Sequence, residues 1–163
     1  MLSTATSKLA PAVKTVGVNA AFLQEIKDSH ADLAHLIHEV RVTCHAELPP
    51  GESAKRLTNL LHDLRDCLAM QFALEETYGY IENVQSMPNS VTAMAERARN
   101  EHCGLYLEIS ALCEQAEELQ YRGYAAEHAG ELIKATEQFD AKLIRHERLE
   151  AELVEIGYRA LRI

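Results

Sequence analysis

The sequence predicts an all-helical fold in which four antiparallel helices run up-down-up-down behind a short N-terminal arm. Three observations predict it. Apolar residues recur in alternating steps of three and four along four long stretches. Only 7 glycines and 4 prolines punctuate the 163 residues. Runs of β-branched residues, the usual mark of strands, are almost absent.

Residues 1–19 are small, polar and weakly basic, with no hydrophobic signal core. They are expected to form a flexible arm that lies across the helices. Residues 20–163 then make one domain, because a chain of this length carries one full core and is short for two.

The first helix is expected over about 20–45, stopped by Leu48-Pro-Pro-Gly51. Its inward seam reads Leu23, Ile26, His30, Leu33, Ile37, Val40 and Cys44. The second is expected over about 53–85, with Leu57, Leu61, Leu64, Leu68, Gln71, Glu75 and Tyr78 as its seam. Gln71 and Glu75 are polar at successive core positions, and core packing does not ask for them.

Met87-Pro-Asn-Ser90 breaks the chain, with Ser90 as the expected N-cap of a third helix reaching about Gln120. Here His102 stands in a seam of Val91, Ala95, Ala98, Leu105, Ile109, Leu112, Ala116 and Leu119. Tyr121-Arg-Gly123-Tyr makes the last turn. The fourth seam runs Leu132, Thr136, Phe139, Leu143, His146, Glu150, Leu153 and Gly157, so an imidazole and a carboxylate lie one turn apart on one face.

These polar seam residues share a level. At 1.5 Å per residue, His30 lies roughly 21 Å before Cys44 and Gln71 roughly 21 Å beyond Leu57. Glu75 lies about 15 Å before Gln85 and His102 about 18 Å past Ser90. His102 is about 27 Å before Gln120, and His146 about 28 Å past Glu127. His30, Glu75, His102, His146 and Glu150, with Gln71, therefore converge from four helices. Imidazole nitrogen with carboxylate oxygen suits iron, manganese or zinc. The same residues can instead satisfy one another as a buried, metal-free hydrogen-bonded network.

Other classes of function find less support. A net charge of −9 argues against nucleic acid or an anionic membrane as partner, and no apolar run reaches the length of a membrane span. Cys44, Cys67, Cys103 and Cys113 form no C-x-x-C pair and suit free thiols in a reducing cytoplasm. Cys67, one turn before Gln71, is a candidate neighbour of the site. Glu76 is read as a solvated charge beside Glu75, and His35, His38, His45, His62 and His128 as surface residues. Neither a Ser-His-Asp set, a phosphate loop nor a glycosidase carboxylate pair is visible.

Three stretches carry a resemblance. They are Leu64-Arg-Asp-Cys67-Leu-Ala-Met-Gln71-Phe-Ala-Leu-Glu75-Glu76-Thr-Tyr-Gly79-Tyr80, the pair Glu101-His102, and Leu143-Ile-Arg-His146-Glu147-Arg-Leu-Glu150. With them the chain resembles the bacterial hemerythrin-like domains, the HHE cation-binding family, over about 22–158. The resemblance implies a four-helix bundle around a non-haem iron centre, often di-iron, that binds or senses O₂, nitric oxide or peroxide.

By the same resemblance the metal ligands are His30, Glu75, His102, His146 and Glu150. Gln71 stands where the family usually has histidine, Tyr106 where many members have a second third-helix histidine, and Ala151 where the last carboxylate often falls. Gly79-Tyr80 is expected to shape the end of the second helix.

The first reading is thus a cytoplasmic iron protein, monomeric or homodimeric, with one or two ions and with zinc or manganese as the other metals the ligands allow. The second is a metal-free bundle kept as an interaction or regulatory module. A metal-dependent oxidase or peroxidase comes third, since no separate substrate pocket is legible.

Overall fold

The computed structural model describes the backbone of residues 17–18 and 20–160, with side chains from residue 30 to residue 160. Most of the arm, and the side chains of Leu23 and Ile26 of the first seam, lie outside what is described. The described residues are helical almost throughout, with four long helices among them: α1 Ala20–His45, α2 Pro50–Tyr78, α3 Asn89–Tyr121 and α4 Ala129–Ala160. Consecutive helices are packing neighbours, α2 also meets α4, and α1 meets α4 as well, with Arg41 bridged to Asp140. Among the described residues no helix is long and apolar enough to cross a membrane.

Two residues of the arm are placed. Gly17–Val18 (β1) pairs antiparallel with Ile81–Glu82 (β2), Gly17 opposite Glu82 and Val18 opposite Ile81, and this short ladder lies against α4.

The seams are buried as the spacing requires. Leu57, Leu61, Leu132 and Leu153 are 0% exposed, and each such side chain contributes about 1.5–3 kcal/mol by leaving water. Thr43 and Thr136, also sealed in the core, donate their hydroxyls to the carbonyls four residues back, at 2.8 Å each. Both satisfy themselves within their own helix.

Helix ends differ from expectation in two places. α2 stops at Tyr78, a full seven residues short of Gln85, because Gly79 takes φ +70° and ψ 167°. That conformation is open to glycine almost alone. The chain then makes β2 and a 3-10 turn at Val84–Ser86 before α3. Ser90 is not the cap of α3: Pro88 holds that position and no side chain caps the helix. The α3–α4 turn meets expectation. Gly123 at φ +74° lets Tyr124 N–H reach the Leu119 carbonyl at 2.9 Å and its own N–H reach Gln120 at 3.2 Å, a Schellman ending.

The core divides into two apolar clusters. The larger contains Leu57, Leu61, Phe72, Leu105, Ile109 and Leu143; the smaller gathers Tyr80, Ile81, Val91, Ala98 and Leu153. Along α3 the boundary between them falls at His102, and along α4 at His146 and Glu150. That boundary is the polar layer.

Candidate metal centre

The layer is built from three helices and one turn. α2 presents Gln71 and Glu75 one turn apart, α3 presents His102, and α4 presents His146 and Glu150 one turn apart. One ligand atom from each of Glu75, His102, His146 and Glu150 falls within 4.8 Å of all the others. Glu75, His102 and His146 are buried, with only 2–3% exposure each.

Both imidazoles are held from behind. His102 Nδ1 lies 3.1 Å from Glu76 Oε1, and His146 Nδ1 lies 2.9 Å from Glu101 Oε2. A carboxylate there places the proton on Nδ1 and turns Nε2 inward, which is the second partner a metal-binding histidine requires. The inward Nε2 of His102 is 3.1 Å from Glu75 Oε2 and 3.5 Å from Glu150 Oε1. Phe72 stacks on the His102 ring at 4.3 Å and 10°, and meets His146 edge-on at 5.7 Å. The rings thus have little freedom to rotate.

His146 Nε2 carries the clearest sign of fit. It is buried and lies 2.7 Å from Glu150 Oε1, but at an angle that makes no hydrogen bond. A close, misdirected approach of lone-pair atoms is the arrangement a cation between them resolves. Two imidazole nitrogens and two carboxylate oxygens make a donor set suited to one divalent iron, manganese or zinc ion.

Tyr80 closes the layer from the side of the smaller cluster. Its hydroxyl donates to Glu150 Oε1 at 2.5 Å and lies 3.2 Å from both Glu75 Oε2 and His102 Nε2. Gln71 donates Nε2–H to Glu75 Oε1 at 2.5 Å. The Gly79 backbone makes the Tyr80 contacts possible, since it folds the chain back under the end of α2.

The electrostatics follow from this crowding. Burial pushes the Glu75 carboxyl up to about 7, with Glu150 adding to the rise and His102 opposing it. Burial works against a charged His102, yet Glu150, Glu75 and Glu76 outweigh it and raise that imidazole to about 9. Burial also opposes the charge of Glu150, but His102 and His146 hold it well below the ordinary carboxylate value. Burial and the two carboxylates drive Tyr80 far above the usual phenol value.

Of the five ligands expected from sequence, four come together. His30 is not among the four: it is exposed and lines a cavity that Glu75, His146 and Glu150 also line. Tyr106 is also outside, at 40% exposure, because the inward line of α3 passes from His102 to Leu105 and Ile109. Cys67 is half-buried against the larger cluster, and burial raises its thiol pKa.

Glu76, read from sequence as solvated, is the partner of His102, and Tyr80 reaches into the layer itself. The sequence carried a signal for the outer carboxylates, an acid immediately beside a ligand in Glu75-Glu76 and in Glu101-His102. Tyr80 had none beyond the glycine preceding it.

The cavity measures about 640 Å³ and is walled by α1, α2 and α4, with Leu33, Ile37, Leu68, Phe72 and Val154 among its apolar residues. Gln71, Glu75, Tyr80, His146, Glu147 and Glu150 are among its polar lining. No family model matches the chain, and neither a curated protein nor a solved structure matches it.

Proposed function

We propose that this chain is a metal-binding protein of hemerythrin-like kind, an up-down-up-down antiparallel bundle holding one non-haem iron ion. The ligands are Glu75, His102, His146 and Glu150. The carrying observation is the pair of carboxylate-backed imidazoles whose Nε2 atoms converge with two carboxylates in a buried layer. Iron over zinc or manganese, and a diatomic gas or peroxide as the small partner, rest on the resemblance of the Gln71–Tyr80, Glu101-His102 and His146–Glu150 stretches.

Bound iron would supply a redox centre able to take O₂, nitric oxide or peroxide. The chain's own contributions are separate from that chemistry. Glu76 and Glu101 fix the imidazoles, Phe72 and the two apolar clusters keep bulk water away, and Tyr80 holds a proton at its hydroxyl beside the ligand oxygens.

Elemental analysis of protein purified without chelator or histidine tag tests this reading. About one metal ion per chain, lost in His146→Ala with the fold retained, is the expected result. Absence of metal even after anaerobic reconstitution with ferrous iron rejects it.

That second outcome would favour a metal-free module. Its support is that Gln71 and Tyr80 already occupy carboxylate oxygens of Glu75 and Glu150, so much of the layer is satisfied by its own hydrogen bonds.

A further inference from the structure

Tyr80 stands as close to the ligand residues as they stand to one another. Its phenol oxygen lies 3.2 Å from Glu75 Oε2 and 3.2 Å from His102 Nε2, which are themselves 3.1 Å apart. The three atoms form a nearly equilateral triangle. Bonds of about 2.1 Å to one ion set neighbouring donor atoms roughly 3.0–3.4 Å apart, in octahedral or tetrahedral geometry. A proton shared between two oxygens draws them closer, to about 2.5–3.0 Å. The contact of Tyr80 with Glu150 at 2.5 Å is of that second kind, and the triangle is of the first.

Burial and backbone hold the phenol there. Tyr80 is 5% exposed, and Gly79 at φ +70° turns it under the end of α2. The residue packs into the smaller cluster with Ile81, Val91, Ala98 and Leu153, while its hydroxyl meets the ligand layer.

Charge decides which ion such an oxygen suits. Glu75 and Glu150 balance a divalent ion, and neutral imidazoles add nothing to the sum. A phenolate makes three anionic oxygens, which balance a trivalent one. Tyrosine is already known as an iron ligand, on haem for instance.

Resting on the single-ion reading above, we infer that Tyr80 is a fifth ligand of the centre, binding as phenolate when the ion is ferric. With a divalent ion the phenol keeps its proton. The larger charge of ferric iron acidifies an oxygen beside it, and a donor must give up its proton to ligate. The O–H bond breaks and the oxygen's electron pair goes to the ion. The proton leaves by way of its acceptor, Glu150 Oε1, to solvent in the cavity that both residues line.

The full chain, loaded with ferric iron supplied as a weak chelate, is read by visible absorption and resonance Raman spectroscopy. A phenolate-to-iron charge-transfer band with tyrosinate ring modes is expected. It should be lost in Tyr80→Phe at unchanged iron stoichiometry. It should survive in Tyr106→Phe, whose phenol is exposed on α3 at the position where the resemblance places a histidine. Should Tyr80→Phe hold no iron, a band that persists in both Tyr78→Phe and Tyr106→Phe assigns the ligand to Tyr80, since Tyr121, Tyr124 and Tyr158 are exposed.

Ferric binding without tyrosinate modes overturns the inference and leaves the four-ligand reading standing. So does a band that survives Tyr80→Phe, or one that disappears in Tyr78→Phe or Tyr106→Phe. A chain that takes up no metal fails both, and elemental analysis records that failure separately.

Discussion

Glu101 holds His146 across the α3–α4 interface, its Oε2 2.9 Å from Nδ1 of an imidazole that is 2% exposed. Burial resists the Glu101 charge, but His146 and Arg97 keep its pKa below the ordinary carboxylate value. The carboxylate is therefore charged where it can fix the tautomer. Glu101→Gln should lower metal affinity about 10–100-fold, the usual consequence of losing a histidine's outer partner. Competition against a chelator of known affinity measures this, and an unchanged affinity would sink the assignment of Glu101.

Tyr80→Phe removes a hydroxyl whose one proton goes to Glu150 Oε1 at 2.5 Å, with Glu75 Oε2 and His102 Nε2 each 3.2 Å from the phenol oxygen. Hydrogen bonds to charged groups contribute about 1.5–3 kcal/mol each when their loss leaves a buried charge unserved. The metal-free protein should lose stability of that size in urea unfolding. A loss well under 1 kcal/mol would mean that water replaces the phenol.

Gly79→Ala tests how Tyr80 gets there. Gly79 has open space around the position of an added Cβ, so sterics with neighbours do not decide the outcome. Its φ of +70° with ψ 167° does. Alanine should cost about 1–3 kcal/mol through backbone strain and weaken metal binding as Tyr80 shifts. Wild-type stability and metal affinity together would show that the turn relaxes freely.

The thiols predict an alkaline limit. Burial raises both Cys44 and Cys113 to about 11, with Glu137 and Asp140 adding to the first, and Glu117 adding to the second against Arg65. A folded pKa above the unfolded value of about 9 means the neutral thiol favours the fold. That stability is complete below pH 9 and is lost as pH rises through 11, by on the order of 1 kcal/mol per pH unit per thiol. Urea midpoints from pH 8 to 11 should fall accordingly, and fall less in Cys113→Ala. At pH 8 a thiol reagent should modify exposed Cys103 first.

The sequence made legible whatever repeats with the helix. The seams of α2, α3 and α4 are buried almost residue for residue, and the levels of Glu75, His102, His146 and Glu150 could be found by counting rise. Three things escaped. Tyr80 sits outside any period, placed by one glycine torsion. Glu76 and Glu101 flank the seams at positions that normally face water, and only the neighbouring helix shows that they meet imidazoles. His30 follows the spacing of α1, yet it is exposed on the cavity lining and outside the group of four, because spacing alone does not say which neighbours a side chain meets.

The polar layer has a consequence for how the molecule comes apart. It interrupts the apolar contacts, leaving the small cluster around Tyr80, Val91, Ala98 and Leu153 with its own end of α3 and α4. Without a cation the layer is a seam of weakness, and amides at that end should exchange before those around Leu57, Ile109 and Leu132. An ion shared by three helices would act as a rivet through the seam. Ligand binding and the cooperativity of unfolding would then be one property, and metal loss would free one end of the molecule while the other stayed folded.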